Sequence, residues 1–384
     1  MTHHIQKKPL KIILFANTDW YLYNFRLPLA QAIKAQGHKI ICISPPGAYG
    51  PRLEEAGCRW LPLPMMDRRS LNLWSEARLV QHLIPFYRQI RPDLACHFTL
   101  KCVIYGSLAA RAIRIPTVNA ITGLGHVFTS DTLRTRLLRP AIGGLLRFCL
   151  DHPRNLLILQ NPDDQQELLS QRLVSPDRIR LIRGSGVNTE RFKPRTTPRQ
   201  PGPFRVLLAA RLIWEKGIGE YAEAARQLRQ AGLSIEFRLA GDPDPGNPTS
   251  VPREAIEEWQ QLGLLRALGH VDTMEALLAD TDLVVLPSYY REGAPRSLLE
   301  AAACGLPIIT TDSIGCREVV DHEVTGLLIP PRDATALAAG IRRLHDAPDE
   351  CLRMGQAGRA KIIAEFDERL VIEQTLSVYQ ELMP

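Results

Sequence analysis

Strand-like and helix-like segments alternate along most of this 384-residue chain. Short apolar runs rich in β-branched residues predict strands, and apolar residues at helical spacing predict the helices between them. The predicted strands are 10–16, 39–43, 94–98, 116–119, 156–160, 179–182, 205–210, 235–240, 267–270, 283–287 and 308–310. The predicted helices include 27–36, 73–89, 219–231, 252–262, 273–279 and 296–303. Such alternation predicts an α/β fold, with parallel sheets covered by helices on both faces.

A proline-rich segment divides this series near the middle of the chain. Residues 193–203 read KPRTTPRQPGP, and prolines among polar residues are typical of a stiff linker. We therefore predict two Rossmann-like domains, 1–195 and 196–365, whose parallel sheets face each other across a central cleft. A last helix within 366–384 is predicted to pack back toward the first domain.

The net charge changes sign at the same segment. Up to residue 195 the chain has 28 Lys and Arg residues against 13 Asp and Glu, a net charge of +15. From residue 196 onward the counts are 19 and 28, a net charge of −9, so that the whole chain carries +6. A basic half joined to an acidic half indicates that the two halves meet different partners.

The sequence argues against several protein classes. The longest apolar candidate for a transmembrane helix, 133–150, is interrupted by four arginines and a proline. The apolar run at 12–16 is too short for a signal peptide. Eight scattered cysteines without a C-x-x-C pattern predict buried thiols in a reducing cytoplasm, and no H-E-x-x-H metal motif occurs.

Two glutamates bracket the start of a predicted helix. In the segment 292–307, EGAPRSLLEAAACGLP, Pro295 suits the first helical turn, so Glu292 lies on the preceding loop and Glu300 inside the helix. At a rise of about 1.5 Å per residue the two carboxylates are on the order of 10 Å apart, which suits the two ends of one ligand. Between them, the free N–H groups of the first turn offer an anion site. The alternative is an ordinary capped helix.

Two cations follow the first strand of the second half. Arg211 and Lys216 flank the loop after 205–210, at the sheet edge where open α/β folds bind ligands. An arginine and a lysine placed there are suited to hold a diphosphate, and the alternative is a solvated surface pair.

The first loop of the chain, 17–26, has no G-x-G-x-x-G pattern, which weighs against a nicotinamide site. The turn at 241–246 is interpreted as a surface loop.

Together these elements resemble the retaining glycosyltransferases of family 4, which have the GT-B fold. The family frame E-G-x-P-x-x-L-x-E-A, with A-x-G-x-P following, is matched within 292–307. The element R-L-x-x-x-K-G is matched at 211–217, D-x-x-G-x-x-E at 312–318, and G-L-L at 326–328. The resemblance covers nearly all of 180–345, with independent elements in the expected order.

This resemblance implies a nucleotide-sugar donor, a UDP-sugar, held mainly by the second domain. Arg211 and Lys216 would neutralise the diphosphate as it leaves, while Glu300 would bind the ribose hydroxyls. Such enzymes retain the anomeric configuration without a dedicated nucleophile, and no metal cofactor is expected. The implied donor-binding residues are Gly293, Ala294, Pro295, Glu300, His270 and Val271, and the implied catalytic residues are Glu292, Arg211, Lys216 and His126.

The first half carries weaker signals, which concern the acceptor. Its Asn24-Phe25-Arg26 opening and the segments 122–128 and 184–188 look like the bacterial branch that builds O-antigen, capsule or glycan-carrier oligosaccharides. That likeness implies a lipid-linked acceptor, often an undecaprenyl-diphosphate saccharide. His126 would face the donor sugar across the cleft, or is a structural histidine. The acceptor-side candidates are Asn17, Asn24, Arg26 and Lys101.

Two basic, apolar segments indicate a membrane surface as a partner. Residues 131–150 carry four arginines among leucines, and 68–74 pair two arginines with a tryptophan. Such segments dock on an anionic bilayer without crossing it, and the alternative is core helices with solvated arginines. We expect a cytoplasmic protein, peripheral on the inner face of the cytoplasmic membrane. No aromatic-basic nucleic-acid motif appears, so nucleic acid is not expected as a partner.

Two other functions compete with a hexosyl- or N-acetylhexosaminyltransferase. A GT-B sugar-nucleotide epimerase would share the architecture but would need acid and base groups around the donor sugar and no lipid acceptor. The membrane-like segments and the family frame weigh against it. A catalytically silent binding subunit is disfavoured because the two glutamates and the Arg211–Lys216 pair are all present.

Overall fold

The computed structural model describes residues 8–67, 72–123, 133–196 and 202–383, with the backbone alone for Leu73 and 133–141. The chain divides into two compact units. Unit 1 comprises Met1–Ser185 and Val371–Pro384, and unit 2 comprises Gly186–Leu370. The division therefore falls before the proline-rich segment, and the chain returns to unit 1 at its end.

Within the described residues of unit 1, seven strands form a parallel sheet in the order β3-β2-β1-β4-β5-β6-β7. The central strands are mainly apolar and wholly buried because helices cover both faces of the sheet. The strands are β1 Lys11–Phe15, β2 Lys39–Ser44, β3 Arg59–Pro62, β4 Leu94–Phe98, β5 Thr117–Ile121, β6 Asn155–Leu159 and β7 Ile179–Leu181.

The helices of unit 1 follow the strands one by one. A short helix after β1 leads into a π-helical segment, Leu22–Arg26, before the chain resumes α-helical geometry. These helices are α1 Asp19–Tyr21, α2 Leu27–Ala35, α3 Gly50–Glu55, α4 Leu73–Ile90, α5 Leu100–Ala112, α6 Leu133–Leu150 and α7 Pro162–Ser170. No helix built from the described residues is both long and apolar enough to cross a bilayer.

Unit 2 has a six-stranded parallel sheet in its described residues, in the order β10-β9-β8-β11-β12-β13. Its strands are β8 Phe204–Ala209, β9 Ile235–Ala240, β10 Arg266–Gly269, β11 Leu283–Leu286, β12 Ile308–Thr311 and β13 Leu327–Ile329. Its helices are α8 Ile218–Gln230, α9 Arg253–Gln261, α10 Met274–Ala279, α11 Arg296–Ala303, α12 Cys316–Val319, α13 Ala334–Asp346 and α14 Pro348–Glu365. The α/β architecture of two Rossmann-like sheets, predicted from the alternating pattern, is confirmed.

The last helix, α15 Glu368–Gln380, begins in unit 2 and ends in unit 1. Val371, Val378 and Tyr379 are buried in the same core as Leu14 of β1. At its other end, Glu368 donates its backbone N–H to the Val187 carbonyl, 3.0 Å away. The helix therefore contributes to the packing of both units.

Two short edge strands were not predicted. In β3 the two end residues are exposed and the two middle residues are only half-buried, so the segment lacks the apolar run that marks a buried strand. In β13 only three residues pair with β12, and the G-L-L motif was interpreted as a family element rather than as a strand. Short edge strands take their structure from the neighbouring strand more than from their own sequence.

Candidate active site

Three loops of unit 2 pack closely at the carboxyl ends of β8, β11 and β12. Gly217, which follows β8, has a φ of +77°, and a Cβ added there would lie 2.3 Å from the Pro287 carbonyl oxygen. Gly315, which follows β12, has a φ of +83°, and its Cβ would lie 1.8 Å from the Gly293 carbonyl oxygen. Only glycine tolerates both this backbone conformation and these approaches. The glycines of the sequence motifs therefore bring the predicted donor-site loops together.

Lys216 and Glu292 form an ion pair at this junction. The Lys216 ammonium lies 2.6 Å from Glu292 Oε2, and both side chains are largely shielded from solvent. Ser288 Oγ donates to Glu292 Oε1 at 3.0 Å, and the Lys216 ammonium lies 5.6 Å from the centre of the Tyr290 ring. Two residues predicted separately, from motifs on different loops, thus contact each other. A shielded lysine held by one carboxylate can turn to an anionic ligand without leaving its position.

Arg211 lies on the same edge but is half exposed. Its Nη1 is 3.1 Å from Asp244 Oδ2, in the turn that the sequence indicated was only a surface loop. Burial raises the pKa of the Tyr290 phenol, and the nearby Arg211 guanidinium opposes that rise. Arg211 and Lys216 therefore both lie near Tyr290, as a pair of cations that grips one diphosphate requires.

Glu300 is buried within α11, with 8% of its surface exposed. Burial raises the pKa of its carboxyl, and Arg296, whose Nε donates to Glu300 Oε1 at 2.8 Å, opposes the rise. The loop before this helix contains Gly293 and Pro295, both buried, and the half-buried Ala294. A carboxylate held in one orientation by Arg296 is suited to accept hydrogen bonds from neighbouring hydroxyls.

A charged cluster around Glu300 was not predicted. Arg191 Nε donates to Glu275 on α10, and this contact is the main cause that raises the pKa of Arg191. Asn188 Nδ2 donates to Glu368 Oε1 at 2.5 Å, and the electrostatic influence of both Glu300 and Glu368 reaches Arg191. Asn188 ends the 184–188 segment noted in the sequence, but no motif includes Arg191, Glu275 or Glu368, which come from elements far apart in sequence.

His270 and Val271 follow β10 at the same edge of the sheet. His270 is exposed, and its Nε2 lies 3.4 Å from Asp272 Oδ1. Val271 is half-buried and packs against the apolar core of unit 2. The segment is therefore anchored by the valine while its histidine faces solvent.

The acceptor-side candidates lie in unit 1, after β1 and after β4. Asn17 is half-buried, and Asn24 Nδ2 donates to the Trp20 carbonyl at 3.0 Å. The Lys101 ammonium lies 2.7 Å from Glu76 Oε1. His126 lies outside the described residues, as do Arg68 and Arg69 and the start of the 131–150 segment. The structure describes only the backbone for Arg134, Arg136 and Arg139.

Arg26 is buried rather than open to a ligand, with 6% of its surface exposed. Its Nη2 donates to the Tyr21 hydroxyl at 2.7 Å, and the guanidinium lies 4.3 Å from the centre of the Phe98 ring. These contacts make Arg26 part of the packing that holds the π-helical segment against β4.

The described residues include no group of three or more His, Cys, Asp or Glu side chains placed to hold a metal ion. Two D-x-D sequences occur, at 242–244 and 280–282. Asp244 pairs with Arg211, and Asp280 pairs with Arg238 at 3.0 Å, so these carboxylates face guanidinium groups. The eight cysteines are free thiols, and seven of them are buried.

Two family models cover most of the chain. Residues 189–361 match Glycosyl transferases group 1, and residues 11–159 match Glycosyl transferase 4-like. With a glycosyltransferase model matching each half, the chain is a glycosyltransferase. The resemblance inferred from the motifs is confirmed, and the epimerase alternative receives no support from the comparisons.

Relatives of this glycosyltransferase act in bacterial glycan assembly. The N,N'-diacetylbacillosaminyl-diphospho-undecaprenol alpha-1,3-N-acetylgalactosaminyltransferase of Campylobacter jejuni is 27% identical over 97% of this chain and 99% of its own. The amylovoran biosynthesis glycosyltransferase AmsK of Erwinia amylovora is 30% identical, over 60% of this chain and 59% of its own. The structure of Anabaena HepE in complex with UDP is similar over 97% of this chain and 100% of that one, with a TM-score of 0.78 at 22% identity. The predicted GT-B fold is confirmed.

Proposed function

We propose that this glycosyltransferase transfers a sugar from a UDP-sugar, with retention of configuration, to an undecaprenyl-diphosphate-linked saccharide. The observation that carries the proposal is the Lys216–Glu292 ion pair, with Arg211 beside it, at the carboxyl edge of the unit 2 sheet. The product would be a hexosyl or N-acetylhexosaminyl linkage in a surface polysaccharide or carrier-linked glycan, O-antigen among them.

The two cations act on the leaving group. As the glycosidic bond to the donor breaks, negative charge grows on the diphosphate, and Lys216 and Arg211 stabilise it there. Glu292 holds Lys216 in position before the donor binds and then orients the hydroxyls of the donor sugar. Attack of the acceptor on the face that the diphosphate leaves gives retention, and the departing phosphate accepts the acceptor proton.

The remainder of the donor binds along the same edge. Glu300, oriented by Arg296, accepts hydrogen bonds from the ribose hydroxyls. In the loop Gly293–Pro295, Gly293 and Ala294 donate their backbone N–H groups to the donor. His270 and Val271 lie beside the base. The complexes of HepE with UDP and with UDP-glucose support a uridine nucleotide.

The acceptor would bind unit 1, with Asn17, Asn24 and Lys101 near its saccharide and His126 near the donor sugar. The undecaprenyl-diphosphate carrier named for the Campylobacter relative supports a lipid-linked acceptor. The positive charge of the first half, with the basic segments 68–74 and 131–150, supports docking of the protein on the inner face of the cytoplasmic membrane. Neither a metal nor a nucleic acid takes part in this proposal.

Alanine variants of the two cations test the proposal. Lys216→Ala and Arg211→Ala should each lower kcat/KM for the UDP-sugar by about 10²–10³, the effect of removing one group that stabilises developing charge. Lys361→Ala and Arg226→Ala remove the same charges from ion pairs elsewhere in unit 2 and should leave turnover unchanged.

The measurement is sugar transfer from a panel of UDP-sugars to an undecaprenyl-diphosphate saccharide, together with the thermal shift that each donor causes. Normal turnover in both the Lys216 and the Arg211 variants would overturn the donor site. Inversion at the anomeric carbon, read by NMR of the product, would overturn the retaining mechanism.

A further inference from the structure

Unit 1 contains a cavity of about 320 Å3 at the amino ends of β5 and β6. Thr117 and Asn155, the first residues of these strands, form its buried floor. Because the strands are parallel, the cavity lies at the opposite edge of the sheet from Asn17 and Lys101. It is therefore separate from the edge to which the acceptor is assigned.

The walls of the cavity are strongly basic. Arg111, Arg114, Arg154 and His152 all line it. In the described part of the chain, no carboxylate lies within ion-pair distance of Arg111, Arg114 or Arg154. Three arginines without counter-charge repel one another, and a bound anion relieves that repulsion.

Backbone carbonyls hold two of these guanidinium groups in place. Arg111 Nη1 donates to the Phe148 carbonyl at 2.7 Å, and Arg154 Nη1 donates to the Arg114 carbonyl at 2.9 Å. A carbonyl fixes the orientation of the guanidinium but leaves its charge almost uncompensated. Each guanidinium keeps further N–H donors for a ligand.

The imidazole of His152 reports the resulting field. Burial lowers its pKa, and the neighbouring Arg111, Arg154 and Arg178 lower it further. Arg178 itself pairs with Asp177 at 3.1 Å, so part of its charge is balanced. The charges that lower the pKa of His152 thus include Arg111 and Arg154, which line the cavity.

An exposed aromatic ring borders the basic walls. Half of the Phe148 surface is exposed, and the Arg111 guanidinium lies 3.8 Å from the centre of its ring. Leu145, one turn earlier on α6, is also exposed. An anionic cavity ligand that also bears an apolar chain would therefore find apolar contacts at the rim.

We propose that this cavity is a second binding site of unit 1, which takes a phosphate or diphosphate group. Arg111, Arg114 and Arg154 bind the phosphate oxygens, and the buried Thr117 and Asn155 form the floor. The group can belong to a soluble phosphate ester or to the headgroup of an anionic lipid, whose chain would lie against Phe148. Planar guanidinium groups match the geometry of phosphate oxygens.

Titration with pyrophosphate tests the soluble source. In protein with labelled histidines, the His152 signal is assigned by its loss in His152→Gln, and bound pyrophosphate should raise the pKa of this imidazole. The double variant Arg114→Gln/Arg154→Gln should weaken the affinity about tenfold or more. Because His152 reads this cavity alone, occupancy of the donor site in unit 2 does not affect the result.

Vesicle co-sedimentation tests the lipid source. Vesicles of phosphatidylglycerol and phosphatidylcholine should bind the wild-type protein but not the Arg114→Gln/Arg154→Gln variant. Vesicles of pure phosphatidylcholine should bind neither protein. The matched control, Arg78→Gln/Arg88→Gln, removes two charges from exposed residues of α4 and should bind as the wild type does.

The outcomes separate the two sources. A His152 response to pyrophosphate without a vesicle effect assigns the site to a soluble phosphate, and a vesicle effect confined to the cavity variant assigns it to a lipid headgroup. No His152 response together with equal vesicle binding by both double variants would overturn the proposal. Arg154→Lys, which keeps the charge, should recover part of the affinity and shows that the fold is intact.

Discussion

Each unit has a shielded Lys–Glu ion pair after a strand of its sheet, and the two pairs differ in what surrounds them. Lys216 and Glu292 of unit 2 are 2.6 Å apart, and Lys101 and Glu76 of unit 1 are 2.7 Å apart. In unit 2 Glu292 lies on the loop after β11 and Lys216 ends a short 3-10 helix after β8, both at the carboxyl ends of strands. In unit 1 both partners lie on helices, α5 and α4. The geometry of an ion pair therefore does not reveal its role, whereas its position in the fold does.

The charge balance of the two units differs in the same way. In unit 2 the basic residues at the proposed donor site are each paired with a carboxylate, as Arg211 is with Asp244 and Arg296 with Glu300. In unit 1 two arginines of the basic cavity, Arg111 and Arg154, are held by carbonyls instead. The acidic half thus carries a compensated local cluster of cations, and the basic half keeps uncompensated charge that an anionic partner can meet.

The largest expected effect distinguishes the two ion pairs by the substrate that each one affects. Glu292→Gln should lower kcat/KM by about 10²–10³, because Lys216 loses its partner and the donor sugar loses a hydrogen-bond acceptor. Glu76→Gln should leave binding of the UDP-sugar unchanged and raise KM for the acceptor, because it removes the carboxylate charge that helps to position the Lys101 ammonium. The measurements are thermal shift with the UDP-sugar and steady-state kinetics with each substrate varied.

A loss of UDP-sugar binding in Glu76→Gln would show that the two pairs serve one site and would contradict the assignment of the donor to unit 2. Glu223→Gln is the matched control, since this carboxylate pairs with Arg226 on the surface of α8. It should behave as the wild type in both measurements.

The sequence predicted the architecture, and its motifs singled out some residues of the candidate site, for identifiable reasons. Helix α11 was predicted at 296–303, as observed, because Pro295 and the apolar spacing mark it. Lys216 and Glu292 were found because each lies in a local motif. Ser288 and Asp244 were missed, because their contacts join loops that are distant in sequence and depend on the sheet that brings them together.

A buried polar network in unit 1 was also missed. His97 lies inside the apolar strand β4, and its Nδ1 is 2.7 Å from Asn119 Oδ1 in β5. Asn119 Nδ2 in turn donates to Ser107 Oγ at 2.9 Å. Apolar periodicity does not predict such a network, because each residue is an isolated polar position in its own segment until the pairing of the strands is known. The network gives unit 1 an acid sensitivity of its own.

The second effect is therefore a fall in the stability of unit 1 with acid. Burial lowers the pKa of His97 from 6.5 to about 4. In the unfolded chain His97 binds a proton below pH 6.5, whereas in the folded chain it does so only at about pH 4. The stabilisation from the neutral, buried His97 is therefore complete above pH 6.5. Between pH 6.5 and 4 it should decrease by about 3 kcal/mol.

Urea unfolding of the protein at pH 4 to 7, followed by a probe in unit 1, measures this decrease. His97→Asn should flatten the profile, and His82→Gln, an exposed histidine of α4, should leave it as in the wild type. If His97→Asn kept the full slope, the acid sensitivity would have to come from groups other than this imidazole.

The smallest effect concerns Asp367 of unit 2, which titrates in a lower range. The Arg369 guanidinium and the Thr189 hydroxyl lower its pKa from 3.8 to about 2, while burial opposes the shift. The stabilisation from the ionised Asp367 is therefore complete above pH 3.8 and is lost as the pH falls toward 2, and its expected size is about 2 kcal/mol. Asp367→Asn should reduce the unfolding free energy of unit 2 by that amount at pH 7 and by almost nothing near pH 2, whereas Asp346→Asn, on an exposed carboxylate, should change neither. An equal loss of unfolding free energy at both pH values would show that Asp367 acts through packing rather than charge. Of the two predicted pH dependences, only that of His97 in unit 1 would then remain.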